Sequence, residues 1–100
     1  MQVEITEADE GVVITITGIL KKPDAIELGD TIAKLLQKKP KKLAIDCSNL
    51  AAMSFDSVPF IVTAIERGRI GKRNVRAFGC NNVIERTLRG GGFERVGILG

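Results

Sequence analysis

Apolar and polar residues alternate along the first part of the chain: Val3 and Ile5 against Gln2, Glu4 and Thr6, then Val12, Ile14 and Ile16 against Val13, Thr15 and Thr17. A period of two sets one face of a strand toward a core, and the β-branched residues of the second run suit a pleated surface. Only residues 7–11 separate the runs, so the pattern predicts an antiparallel hairpin whose first strand is half-buried. The period then changes. Pro23 fits a first helical turn, and Asp24 puts a favourable charge at that end. Ala25, Leu28, Ile32, Leu35 and Leu36 follow at helical spacing, ending before Pro40. Leu43-Ala44-Ile45 is an unbroken apolar run, as in a strand covered on both faces. It ends in Asp46-Cys47-Ser48-Asn49, and a loop is expected from there to Phe55.

A second helix is expected after Asp56-Ser57, with Val58, Ile61, Val62 and Ile65 as its apolar stripe and Gly71 as its close. Residues 74–78 read as another strand, followed by Gly79-Cys80. Asn81 or Asn82 suits the cap of a third helix with Val83, Ile84 and Leu88 inward and a Glu85–Arg89 pair outward. Gly90-Gly91-Gly92 stops that helix, and residues 93–99 offer a short last strand. The order ββαβαβα predicts a single α/β domain over residues 1–100. Its mixed sheet has four to five strands, with about three helices packed mainly on one side.

Composition narrows the function. Fifteen Lys and Arg against twelve Asp and Glu leave a net charge of +3, and the four aromatic residues are all Phe. That is a mild charge tilt without stacking platforms, so direct nucleic-acid binding is not expected. The cluster Lys38-Lys39-Pro40-Lys41-Lys42 reads as a solvated turn. No apolar run approaches the ~18–20 residues of a membrane helix, and the start lacks the build of a signal peptide. The expectation is a cytoplasmic protein without membrane insertion.

Candidate chemistry is sparse. With no histidine in the chain, Ser-His-Asp and Cys-His nucleophilic systems are excluded. Two cysteines, Cys47 and Cys80, are too few for a disulfide scaffold or a zinc site and read as small buried apolar residues. Asp46 and Asp56 read as separate turn and cap residues. The glycine run at 90–92 follows a helix, so it is a C-cap and not a phosphate cradle. No catalytic, cofactor-binding or metal-binding residue is expected, and the chain is read as a non-enzyme. One segment stands out: Ser54-Phe55-Asp56-Ser57-Val58-Pro59, leading into the second helix. A helix N-terminus tolerates phosphate. A hydroxyl there fits either a kinase target or, more simply, an N-cap.

These pieces, in this order, resemble the STAS domain shared by bacterial anti-sigma-factor antagonists and the cytosolic tails of sulphate transporters. Gly18-Ile19-Leu20 is similar to that family's G-x-L turn, and the strand from Leu43 through Asp46-Cys47-Ser48 to its apolar strand ending in D-x-S. Asp56-Ser57 matches the start of D-S-[ST]-G. Residues 83–88, Gly92 and Phe93-Glu94-Arg95-Val96 are similar to its closing helix and G-[LF]-x-x-[VIL] segment. The resemblance implies phosphorylation of Ser57 and a partner surface made of Ser54, Phe55, Asp56, Ser57 and Val58. It implies an anti-sigma factor or serine-kinase-like partner, bound by the unmodified protein and released by phosphate.

The chain departs from the pattern at Val58 and Pro59, where the motif has a second hydroxyl and glycine, and at Lys21, where antagonists usually carry an acid. The family's usual C-terminal helix is also missing, and apolar surface left uncovered by it leaves room for a homodimer. The alternative reading is a constitutive STAS-type scaffold or transporter-associated module without a phosphoswitch. A nucleotide-binding domain, drawing on arginines such as Arg67, Arg69 and Arg76, is a third class.

Overall fold

The computed structural model describes all residues, 1–100. Strands β1 (Gln2–Ala8) and β2 (Gly11–Leu20) form the antiparallel hairpin, with Val3 opposite Ile16 and Ile5 opposite Ile14. Helix α1 (Lys22–Gln37) crosses to β3 (Leu43–Asp46), which lies parallel to β2. Strand β4 (Leu50–Met53) and a 3-10 turn over Phe55–Ser57 precede α2 (Val58–Gly68). Then come β5 (Val75–Phe78), parallel to β3, α3 (Asn82–Gly90), and β6 (Ile98–Leu99), parallel to β5. The main sheet runs β1-β2-β3-β5-β6, while β4 pairs with the far end of β2. The sheet is mixed, as expected, but has six strands because the expected loop after Asp46 contains β4.

One continuous core fills the helix side. From the sheet it takes Val12, Ile14, Ile16, Leu43, Ile45, Val75 and Ala77. All five apolar positions read for α1 and all four read for α2 are buried there. The opposite face of β2, β3 and β5 holds no buried residue: Thr17 and Arg76 are exposed, and Val13, Ala44 and Phe78 are half-buried. Helices α1 and α2 lie so close that a Cβ on Gly68 would collide with the Leu36 side chain.

Several expectations are corrected. All seven residues of β1 are exposed, including Val3 and Ile5, since no helix reaches over this edge of the sheet. Helix α2 ends at Gly68, three residues before Gly71, because Arg69 takes the left-handed cap conformation (φ 56°). Val83 is 68% exposed, and only Ile84 and Leu88 of α3 face inward. The glycine run does stop α3, with the Gly91 and Gly92 amides returning to the carbonyls of Thr87 and Arg89. Arg89 bridges Glu85 at 2.8 Å and also Glu94 at 3.0 Å.

Candidate functional site

The segment singled out in the sequence is built on the far end of β2. A register shift between Gly18 and Ile19 bends β2 so that Leu20 pairs with Met53 of β4. That pairing delivers Ser54 to the Leu20 carbonyl, which accepts its amide at 2.9 Å. The Ser57 amide then donates to the Ser54 carbonyl at 3.1 Å and closes the 3-10 turn over Phe55–Ser57.

The side chains form a chain of hydroxyls. Ser54 Oγ donates to Asp56 Oδ1 at 2.7 Å, and Ser57 Oγ lies 2.6 Å from Ser54 Oγ. Each hydroxyl has one proton. Since Ser54 gives its proton to Asp56, Ser57 must be the donor to Ser54. The order is Ser57 to Ser54 to Asp56, with the Leu20 carbonyl a long 3.4 Å from Ser57 Oγ. This network leaves no buried polar atom unpaired.

Neither Asp56 nor Ser57 caps a helix with its side chain. A capping oxygen bonds an amide two or three residues on, and two residues beyond Ser57 stands Pro59, which has none. Proline also disfavours helical backbone at the residue before it. Val58 is nevertheless helical (φ −62°, ψ −43°), so the 3-10 turn runs directly into α2.

The five proposed contact residues separate by exposure. Phe55 is 62% exposed and Asp56 is exposed, while Ser54 is half-buried. Ser57 and Val58 are fully buried, at 0%. Val58 packs against Gly91 at the end of α3, where any Cβ would collide with it, so its role is packing. The Phe55 ring rests at the end of α3, with Cε2 3.3 Å from where a Gly90 Cβ would sit. Exposed Ile19 and Lys21 stand at the same end of β2. Lys22 is 6.0 Å from the ring centroid of Phe60.

Nearby, at the ends of β3 and β5, lies a second cluster that the sequence did not disclose. Asp46 Oδ1 accepts both the amide (2.9 Å) and the hydroxyl (2.6 Å) of Ser48, so the expected turn role holds for Asp46. Beside it Cys47 follows β3 and Cys80 follows β5, with the Cys47 amide donating to the Phe78 carbonyl at 2.9 Å. Cys80 is only partly buried, against the expectation. No group of three or more His, Cys, Asp or Glu is placed to hold a metal ion. No helix is long and apolar enough to cross a membrane.

A family model described as "Mlab, STAS domain" matches residues 3–100. No curated protein sequence matches the chain significantly. Among solved structures it is similar to an anti-sigma factor antagonist from Mycobacterium paratuberculosis, at 17% identity and TM-score 0.79, covering 98% of this chain and 83% of that one. A putative anti-sigma factor antagonist from Thermotoga maritima matches at 17% identity and TM-score 0.77, over 98% and 86%. The Bacillus cell fate determinant SpoIIAA in its phosphorylated form matches at 12% identity and TM-score 0.73, over 99% and 91%. With the family model spanning nearly every residue and the fold matching throughout, the chain belongs to the STAS domain family.

Proposed function

We propose that this chain is a cytoplasmic regulatory domain of the anti-sigma-factor-antagonist type, which acts by binding a partner protein and not by catalysis. The partner is an anti-sigma factor or serine-kinase-like protein, and the surface is the turn from Ser54 to Ser57. One observation carries the reading: Phe55 is 62% exposed on a turn fixed by backbone and hydroxyl hydrogen bonds. Exposed aromatic side chains held in one conformation are the usual anchors of protein interfaces, since little ordering entropy remains to be lost.

The same geometry supports a reading of how a phosphate on Ser57 would act. A phosphoserine carries about −1.5 to −2 charges, and Ser57 has no exposed surface to receive it. Phosphorylation therefore requires the turn to open, breaking the Ser57–Ser54 hydrogen bond and shifting Phe55. The switch works by dismantling the surface as well as by adding charge. A loss of about 4 kcal/mol in the complex is close to a thousandfold in affinity. That a neighbour in the fold is a protein solved in a phosphorylated form supports this reading.

The second reading, a constitutive scaffold or transporter-associated module, is favoured by the burial of Ser57 together with Val58 and Pro59. Site-resolved mass spectrometry after incubation with ATP and host extract separates the two. A single phosphate on Ser57, with Ser57→Asp losing the captured partner and Ser57→Ala keeping it, supports the switch. An unmodified Ser57 beside an active control substrate, with partner capture lost only in Phe55→Ala, supports the constitutive module. Capture that is indifferent to Phe55→Ala overturns both.

A further inference from the structure

Helices α1 and α2 end side by side and in the same way. Lys39, just past α1, and Arg69, just past α2, are the only residues other than glycine with a positive φ, at 54° and 56°. The left-handed conformation disfavours any residue with a Cβ, and glycine is the common choice where a helix ends in it. Here a cation stands at both positions. A helix C-terminus favours a nearby positive charge, but Lys34 and Arg67, in the last turns of α1 and α2, already meet that preference. Lys39 and Arg69 share something else. Both line one cavity of about 620 Å³, with Arg67 beside them and Leu36, Pro40 and Ile70 among its apolar walls.

These charges have no partner within the chain. The ion pairs of the fold use only Lys38 and Arg89 as cations, and no carboxylate lines this cavity. A second cavity of about 330 Å³ continues the first and shares Ala33, Ala64 and Arg67 with it. It runs on between the two helices to Ile26, which is 43% exposed, and to the half-buried Phe60. Asp30 is its one carboxylate. Small residues on the floor, Gly29, Ala33 and Ala64, keep it low. From Ile26 to Leu36 the two cavities form one trough, about 15 Å or three helical turns long. It is apolar along its length, cationic at one end and acidic toward the other.

We propose that this trough docks an amphipathic helix of a partner protein, lying antiparallel to α1 and α2, with acidic residues in its first turn against Lys39, Arg67 and Arg69. Its apolar stripe, repeating at three and four residues, covers Ile26, Ala33, Phe60 and Ala64. The direction follows from charge. The N-terminus of a helix is its positive pole, so it is favoured beside the two C-terminal ends of α1 and α2, and first-turn carboxylates there reach the three cations. A basic residue in its last turn meets Asp30. A second copy of this chain does not fill the trough through the same face, since two troughs set face to face leave both hollow. A small ligand suits it less, because such ligands are enclosed over most of their surface. This trough is open along Ile26, Asp30, Thr63 and Arg67, all exposed. None of Ser54 to Ser57 lines it, so the site stands apart from whatever binds at Phe55.

The test titrates the isotope-labelled full chain with a synthetic peptide of about 14 residues, long enough for the trough. The peptide carries Glu in its first turn, Leu and Ala along one helical face and Lys in its last turn. Saturable shifts of the Ala33, Ala64, Arg69 and Ile70 amides are expected, with affinity falling as salt is raised. Lys39→Gly combined with Arg69→Gly should bind about tenfold more weakly. That variant should still melt near the wild type, because glycine suits both left-handed positions, so lost binding is not lost folding. A peptide with Glu and Lys exchanged should bind no better than the variant binds the first. No shift at millimolar peptide, shifts confined to another face, or full affinity in the double variant would each overturn the proposal. Equal binding by a Glu-Gly peptide without an apolar face, or by single-stranded DNA, would overturn it too, reducing the three cations to a general anion-attracting surface.

Discussion

Ser54 and Ser57 meet oxygen to oxygen at 2.6 Å, and the one that donates is the one with no exposed surface. The D-S motif gives Ser57 chemical prominence, yet in the folded chain its hydroxyl works as an internal tie between Ser54, just after β4, and the start of α2. Its substitutions report on that tie first. Ser57→Ala removes one hydrogen bond while Ser54 keeps Asp56 and Leu20 keeps the Ser54 amide. The cost is about 1 kcal/mol, or a thermal midpoint ~4–8 °C lower for a domain of this size.

Ser57→Asp places a carboxylate where no water reaches. An uncompensated buried charge costs about 3 kcal/mol or more, so this variant should melt well below Ser57→Ala. Burial raises the folded-state pKa of the new carboxyl above its unfolded value of about 3.9. The penalty is therefore absent below that pH and grows as pH rises, because the unfolded chain ionises first. Thermal melts of both variants should converge toward acid and separate toward neutrality. Equal melting at neutral pH would show that the new side chain reaches solvent.

The two thiols should titrate apart. Cys80, whose pKa is lowered by the neighbouring Cys47 thiol, should reach half its maximal alkylation rate below the ordinary value of 9.0. Cys47, buried and raised, should react only as the protein unfolds. Rates measured from neutral to alkaline pH, with peptide mapping, check this directly. Matching profiles for the two residues would contradict their unequal surroundings.

Gly79→Ala should destabilise the fold by about 2 kcal/mol, from the left-handed backbone and a Cβ pressed on Ser48. Denaturant melts measure the loss.

Strand β1 is an open sheet edge with Val3 37% and Ile5 40% exposed on the helix side. Open apolar edges pair with their like. Sedimentation should show self-association at high concentration, removed by Val3→Lys with Ile5→Lys at a stability change within about 0.5 kcal/mol. A wild-type monomer at every concentration would retire the homodimer.

Much of this architecture was legible in the chain. The helical stripes of α1 and α2 were read residue by residue, because burial there follows sequence spacing alone. Strand β4 was not. Leu50-Ala51-Ala52-Met53 lacks β-branched residues, and it is a strand only because the bulged end of β2 offers it an edge. The hairpin was read correctly, but alternation cannot say whether a helix will cover the face it defines, and none covers β1. At the site, residue types marked the turn from Ser54 to Val58 without revealing which side chains point inward. That Cys47 and Cys80 come to the same end of the sheet depends on the β3–β5 register and on the Gly79 turn. Neither can be read from local pattern.

The most direct test of the central claim is photo-crosslinking in the native host. A benzophenone side chain replaces Phe55 in one variant and Arg73 in another. Arg73 is exposed beside the start of β5, at the end of the sheet opposite the turn. The account predicts a discrete protein adduct from position 55 and none from position 73. Equal adducts from both positions, or none from position 55, would contradict a partner surface at this turn.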